Sequence, residues 1–224
     1  MIKSAKFIFN SFGENTYVIW DETAEAIIID AGCSTPAEQQ KLAGFIGEHN
    51  LKPVMAVCTH AHPDHVAGVA WVQEHYQIPL ALHSADLAVI EQMASYGAMF
   101  GFNMTGLKAD IDLAEQKNIS FGQTTAEVIH TPGHSPGGVC LYFDQSGVVV
   151  AGDTLFAGSI GRSDLPGGDY DQLMDSIVNK LLPLGGGVRV LCGHGGETTI
   201  SQEAGSNPFI TEVINGGFNK PYEE

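Results

Sequence analysis

The sequence has 224 residues, enough to bury a substantial core. Hydrophobic residues make up 44% and charged residues 16%, as in ordinary globular proteins, and no apolar run is long enough to cross a bilayer. The 10 basic and 26 acidic residues give a net charge of −16, which repels phosphate backbones, so we expect no nucleic-acid and no membrane partner.

Short apolar runs alternate with helix-period segments along the chain, which is the pattern of an α/β domain. Strands are predicted at residues 5–9, 16–20, 26–30, 53–58, 79–83, 126–130, 138–143, 147–151 and 188–192. Helices are predicted to begin near Pro36, His65, Ser84 and Tyr170. The chain starts with a strand-like segment and not with the apolar core of a signal peptide, so we expect a cytoplasmic protein with a single domain over residues 1–224.

Three histidines and one aspartate lie within six residues, directly after the predicted strand 53–58. In an extended segment side chains alternate, so His60 and His62 face the same way and can bind one metal ion. Pro63 keeps His62 extended and then turns the chain, which directs Asp64 and His65 elsewhere, toward a second ion. Imidazole nitrogens with carboxylate oxygens suit zinc, iron or manganese, whereas calcium prefers oxygen ligands alone.

Three more residues with metal-binding side chains follow apolar segments later in the chain. His134 lies in a loop stiffened by two prolines, Asp153 follows the strand 147–151, and His194 follows the strand 188–192. Loops at the carboxyl ends of strands gather functional groups in α/β folds, so these residues complete a set of seven candidates. The remaining histidines are interpreted as ordinary helix or strand-end residues: His49, His75, His83 and His130.

With these motifs the chain resembles the metallo-β-lactamase fold hydrolases and, within them, the glyoxalase II (hydroxyacylglutathione hydrolase) branch, over residues 15–209. The resemblance implies a four-layer αββα sandwich with a binuclear metal site at one edge of the paired sheets. It implies that zinc, or else iron or manganese, is bound in two positions. The first position would use His60, His62 and His134, the second Asp64, His65 and His194, with Asp153 bridging both. Asp30 matches an aspartate that supports the ligand loop.

The carboxylate at Asp153 narrows the chemistry that the resemblance implies. Classical β-lactamases usually have cysteine or serine there, so aspartate favours hydrolases of thioesters, lactones or phosphodiesters. Two cations about 3.5 Å apart can hold a hydroxide between them. We expect this metal-bridging hydroxide, oriented by Asp64, to attack the carbonyl of a small acyl-thioester substrate such as a glutathione conjugate. A thiolate leaving group, with a parent pKa of about 8.5, needs no strong general acid.

Arg162 falls where the family often places a cation that contacts glutathione. The alternative is a structural salt bridge to Asp164 or Asp169. The helical C-terminal extension of larger glyoxalase II enzymes is expected to be absent, because the chain ends soon after residues 207–210. The resemblance is therefore to the short type of the family.

Residues 92–104 concentrate aromatic and methionine side chains around two glycines. One interpretation is the end of a buried helix followed by a core-packing loop. The other is a pocket wall, since soft methionine and aromatic surfaces accept acyl chains. On this second interpretation Tyr96, Met99 and Phe100 cover one side of the metal site and bind substrate.

Two other functions are consistent with parts of the pattern. A persulfide dioxygenase would bind a single iron through His60, His134 and Asp153, a two-histidine, one-carboxylate set that suits oxygen chemistry. A non-catalytic binding protein with a degenerate metal site would lack some ligands, yet all seven positions are filled. The binuclear hydrolase is the function that the sequence favours.

Overall fold

Two six-stranded sheets form the centre of the structure, a computed structural model that describes residues 1–104 and 106–216. The first sheet contains, in order across it, β1 (Lys3–Phe9), β2 (Glu14–Trp20), β3 (Glu25–Ile29), β4 (Lys52–Val57), β5 (Leu80–Leu82) and β6 (Ile111–Asp112). The second contains β7 (Asn118–Phe121), β8 (Thr124–His130), β9 (Val139–Phe143), β10 (Val148–Gly152), β13 (Arg189–Cys192) and β14 (Thr198–Thr199). A separate hairpin pairs β11 (Leu155–Phe156) with β12 (Ser159–Ile160).

Helices cover the outer face of each sheet. The first sheet carries α1 (Pro36–Glu48), α2 (Pro63–Val66), α3 (Val69–Tyr76) and α4 (Leu87–Met99). The second carries α5 (Tyr170–Ser176), which continues as a π-helical turn over Ile177–Leu181, followed by α6 (Ile200–Ser206) and α7 (Pro208–Gly216). None of the helices in the described ranges is both long and apolar enough to cross a membrane.

The sheets are apolar on both faces because each is covered on both sides. In β3, Ile27 and Ile29 belong to the core between the two sheets, whereas Ile28 packs toward the helices. In β10 the same alternation places Val150 between the sheets and Val149 against the helices of the other side. The result is the four-layer αββα sandwich that the resemblance implied.

Parallel strand pairs bring the carboxyl ends of several strands to one edge. β3 pairs in parallel with β4, and β10 with β13. The two sheets also meet at this edge, where the Asn15 amide donates to the Gly193 carbonyl oxygen at 2.8 Å. Residues that follow these strands therefore converge in space.

All nine predicted strands are present, with bounds shifted by a few residues, and helices begin near each predicted start. The strands that the sequence did not predict are short, and all but the four-residue β7 have two residues each: β6, β7, β11, β12 and β14. Two residues cannot show an alternating pattern, so local sequence gives no indication of such strands. Helices α6 and α7 were also missed.

Candidate metal centre

The histidine-rich run occupies the turn between β4 and α2. His62 is extended (φ −69°, ψ 151°) and Pro63 is the first residue of the helix, as the sequence predicted. His60, His62, Asp64 and His65 are all buried. Because the helix starts at once, Asp64 and His65 lie on its first turn, where the His65 ring remains close to that of His60, with centroids 4.1 Å apart.

The other three candidates arrive from the second sheet. His134 lies in the loop between β8 and β9, and Asp153 directly follows β10. His194 lies two residues after β13, the parallel neighbour of β10. Gly193 is required here, since a Cβ atom at this position would collide with the Asp153 carboxylate and the His65 ring.

The seven side chains form two adjacent groups. The ligand atoms of His60, His62 and His134 lie within 4.8 Å of one another, and so do those of Asp64, His65 and His194. Asp153 contacts both groups, with Oδ2 3.5 Å from His134 Nε2 and 3.5 Å from His194 Nε2. Its Oδ1 lies 3.4 Å from His65 Nε2. The structure thus brings together all seven predicted ligands, with Asp153 between the groups.

The buried environment shifts the pKa values of most candidate ligands, in different directions. Burial lowers the pKa of His60 well below its ordinary value and that of His62 to about 3, so both rings are neutral at pH 7. Burial opposes ionisation of Asp153 and Asp64, but the neighbouring charge of His65 outweighs it and lowers the pKa of both carboxyl groups. Burial opposes protonation of His65 and His194, but the neighbouring carboxylates outweigh it and raise the pKa of both rings, so these two must release a proton on binding metal, because imidazole ligates in its neutral form.

Several ligand atoms are buried without a hydrogen-bond partner. His60 Nε2 and Asp153 Oδ1 are two such atoms. In addition, two ring nitrogens from the first group of ligands, His62 Nδ1 and His134 Nε2, lie only 2.8 Å apart. Buried polar atoms are normally paired, so unpaired ligand atoms that converge on one region fit divalent metal ions. The set of nitrogen and carboxylate ligands fits two such ions.

Neighbouring groups fix the orientation of the ligand rings. His134 Nδ1 donates to the Arg162 carbonyl oxygen at 2.6 Å, which leaves Nε2 free to bind metal. Asp30 accepts hydrogen bonds from the Thr59 amide and hydroxyl, both at 2.7 Å, and lies 3.1 Å from His65 Nδ1. Asp30 therefore supports the ligand loop, the role that the resemblance implied.

Two further acidic residues near the ligands were not identified from the sequence. Asp86 is fully buried and accepts hydrogen bonds from the Ala61 amide at 2.8 Å, the Ser135 hydroxyl at 3.0 Å and the Gly137 amide. Glu14 is also fully buried, and burial raises the pKa of its carboxyl group well above its ordinary value. Glu14 is the first residue of β2, and the local sequence does not indicate that its side chain is buried.

A cavity of about 340 Å³ opens above the metal centre. Five of the seven candidates line it: His62, Asp64, His134, Asp153 and His194. The remaining lining residues are Phe12, Pro63, Met93, Tyr96, Phe156, Ser159, Ile160, Arg162 and Leu165. The cavity therefore gives a small molecule access to both groups of ligands.

Two of the four predicted substrate-binding residues line the cavity and two do not. Arg162 and Tyr96 line the cavity. Met99 does not: it is 80% exposed at the end of α4, where its side chain projects into solvent. Phe100 also lies outside the lining and packs edge-on against Phe12, with ring centroids 4.8 Å apart. Met99 and Phe100, which were predicted to cover the metal site, therefore lie outside the lining of this cavity.

Comparison with known proteins identifies the family. Residues 10–194 match the metallo-beta-lactamase superfamily, and the chain belongs to this superfamily of metallo-hydrolases, which bind divalent metals. It is 34% identical over 203 residues to the hydroxyacylglutathione hydrolase GloC of Haemophilus influenzae, covering 89% of this chain and 94% of that protein. The family indicated by the histidine and aspartate motifs is thus confirmed.

Two solved structures are similar over nearly the whole fold. One is the BLEG-1 B3 metallo-beta-lactamase, with a TM-score of 0.85 and 36% identity, covering 93% of this chain and 100% of that one. The other is TTHA1623 in a di-iron-bound form, with a TM-score of 0.80 and 34% identity, covering 92% of this chain and 99% of that one.

Proposed function

We propose that this protein is a binuclear metal-dependent hydrolase of small acyl thioesters, including glutathione thioesters. The observation that carries the proposal is the position of Asp153, whose two carboxylate oxygens lie within 3.5 Å of ring nitrogens from both groups of ligands. A carboxylate so placed suits a pair of metal ions, with zinc, iron or manganese as the candidates. The similarity to a hydroxyacylglutathione hydrolase supports the thioester as substrate.

When bound, the metal ions supply an activated water and a Lewis acid for the carbonyl oxygen. Asp64 is placed to orient that water, because its carboxylate lines the cavity and its Oδ2 is held 3.2 Å from His194 Nε2. In the reaction the water oxygen bonds to the carbonyl carbon and the C–S bond breaks. The electron pair leaves on sulfur, and the products are a carboxylate, a thiol and a proton.

The leaving group requires little help from the protein. A thiol has a pKa of about 8.5, so the sulfur departs as thiolate without a strong general acid. The cavity matches this requirement: within residues 1–104 and 106–216, Arg162 and Tyr96 are the only lining residues with an ionisable side chain apart from the candidate ligands. Arg162 stays charged and acts in binding rather than in proton transfer.

The experiment is a thiol-release assay with protein reconstituted separately with zinc, iron and manganese. We expect turnover of S-lactoylglutathione or a related acyl-glutathione, together with about two metal ions per chain. Nitrocefin is the matched control substrate, because a β-lactamase is among the similar structures. Absence of thiol release with every metal, combined with oxygen uptake on glutathione persulfide and one iron per chain, would instead support the dioxygenase.

A further inference from the structure

Apart from the candidate ligands, the cavity above the metal centre is lined mainly by apolar side chains. These apolar side chains come from two parts of the chain, here called the first wall (Phe12, Met93 and Tyr96) and the second wall (Phe156, Ile160 and Leu165). The polar lining residues outside the ligand set are Ser159 and Arg162. A lining of this kind recognises an apolar group, because burial of apolar surface is its main source of binding energy.

The charged half of a glutathione thioester has little to bind in this cavity. Glutathione carries two carboxylates, and among the residues that the structure describes Arg162 is the single Lys or Arg in the lining. The Arg162 guanidinium already makes two hydrogen bonds to Asp164, from Nε at 2.7 Å and from Nη2 at 2.8 Å. A substrate carboxylate must therefore compete with a bidentate partner in the protein itself.

The wall formed by the β11–β12 hairpin is held firmly in place. Glu203 is fully buried and accepts hydrogen bonds from the Gly158 amide at 2.8 Å and from Asn207 Nδ2 at 2.8 Å. The second proton of the same Asn207 amide group is donated to the Ser159 carbonyl oxygen at 2.9 Å. Helix α6 and the residue that follows it thus hold the hairpin that presents Phe156 and Ile160.

The first wall is also held by contacts between aromatic rings. The Phe12 ring packs against Phe100 at 4.8 Å and against Phe102 at 5.5 Å, and the Tyr96 ring lies 5.1 Å from Phe100. Phe100 therefore fixes both aromatic rings of this wall without lining the cavity. Side chains held by such contacts have less conformational freedom to lose when an apolar group packs against them.

We propose that this enzyme selects its substrates by an apolar acyl group, which binds between the Phe12–Tyr96 wall and the Phe156–Ile160 wall, and that the thiol half contributes little to selectivity. The inference rests on the proposed thioesterase activity. It specifies the substrate class as thioesters of unbranched or aromatic apolar acids, in preference to short hydroxy acids such as lactate.

The test is kcat/KM for acetyl, butyryl and hexanoyl thioesters, each made with glutathione and with uncharged N-acetylcysteamine, using the metal-loaded protein. We expect kcat/KM to rise about threefold per methylene until the cavity is filled. For a given acyl group, the two thiols should differ by no more than about threefold. If the enzyme releases thiol but kcat/KM stays flat or falls with acyl length, the inference about the acyl group is overturned while the proposed function stands. No thiol release from any substrate would overturn the proposed function itself.

Two variants locate the effect in the cavity. Tyr96→Ala and Phe156→Ala should each reduce the hexanoyl-to-acetyl ratio of kcat/KM about threefold to tenfold, with a smaller effect on acetyl turnover. Leu87→Ala is the matched control, since Leu87 lies on the same helix as Tyr96 with similar exposure, 40% against 43%, but outside the cavity. An unchanged ratio in both cavity variants, with melting temperatures near wild type, would contradict the proposal.

Discussion

The Asp86 carboxylate accepts the Ala61 backbone amide at 2.8 Å and thereby ties the loop of the first two ligands to a helix start 25 residues away. The same carboxylate accepts the Gly137 amide, 51 residues further along, beyond His134. One side chain therefore sets the spacing between the two loops that carry the first group of ligands. Asp86 does not contact the reacting atoms and acts as a positioning residue.

Replacing Asp86 by Asn should weaken metal binding in the first group about 10- to 100-fold, because groups that orient ligands typically have effects of this size. An asparagine amide has a single acceptor oxygen, so its NH₂ group must face either the Ala61 or the Gly137 amide. One of the two loops then loses its hydrogen bond whichever way the side chain turns.

Chelator competition, with metal content measured at each step, tests this prediction. Asp110→Asn is the control, since Asp110 accepts a backbone amide from Leu80 at 2.8 Å but touches neither ligand loop. Equal metal affinity in Asp86→Asn and wild type would show that the loops keep their spacing without the carboxylate. An equal loss of metal affinity in Asp86→Asn and Asp110→Asn would show a general effect on stability.

Asp153→Ala should impair both groups of ligands together, whereas His194→Ala should affect mainly the second. Asp153 contacts ring nitrogens on both sides, while His194 belongs to one group. We expect Asp153→Ala to lose activity by about three orders of magnitude or more, equivalent to roughly 4 kcal/mol. Metal content per chain is the direct measurement, with the exposed His75→Ala as the matched histidine control. Wild-type metal content in Asp153→Ala would refute the bridging role.

The seven ligands could be predicted from the sequence because each follows an apolar strand or lies in one dense motif. Asp86 could not, since an aspartate at a helix start is common and its partners come from two distant loops.

Met99 illustrates a second limit of prediction from the sequence. Met93 and Tyr96 are three residues apart and share a face of α4, but Met99 lies about 120° round the helix from Met93. Only the packed structure shows which face of the helix meets the cavity.

Glu38→Gln should destabilise the protein by about 1–2 kcal/mol at pH 7, because Glu38 completes the capping box of α1. Its carboxylate accepts the backbone amides of Asn10 at 2.6 Å, Ser34 at 2.9 Å and Thr35 at 3.0 Å. Burial opposes ionisation of Glu38, but these hydrogen bonds outweigh it and lower the pKa of the carboxyl group.

The stabilisation by Glu38 should depend on pH in a defined direction. A carboxyl group whose pKa is lower in the folded state stabilises the protein above its unfolded pKa, about 4.3, and loses this contribution as the pH falls through the folded value. Urea unfolding of wild type and Glu38→Gln should therefore show a difference that is full at pH 7 and shrinks below about pH 4. A difference that grows toward low pH would contradict this assignment.

Asp164→Asn should strengthen the binding of thioesters whose thiol half carries a carboxylate, because it removes the bidentate partner of Arg162. The pair is exposed, with side-chain accessibilities of 60% and 70%, so its loss should leave stability nearly unchanged. We expect KM for acyl-glutathiones to fall roughly threefold, with kcat and all parameters for N-acetylcysteamine thioesters unaffected. Asp144→Asn, also exposed, controls for the change in net charge. An equal fall in KM for both thiols, or for both variants, would show that Arg162 does not contact the thiol half.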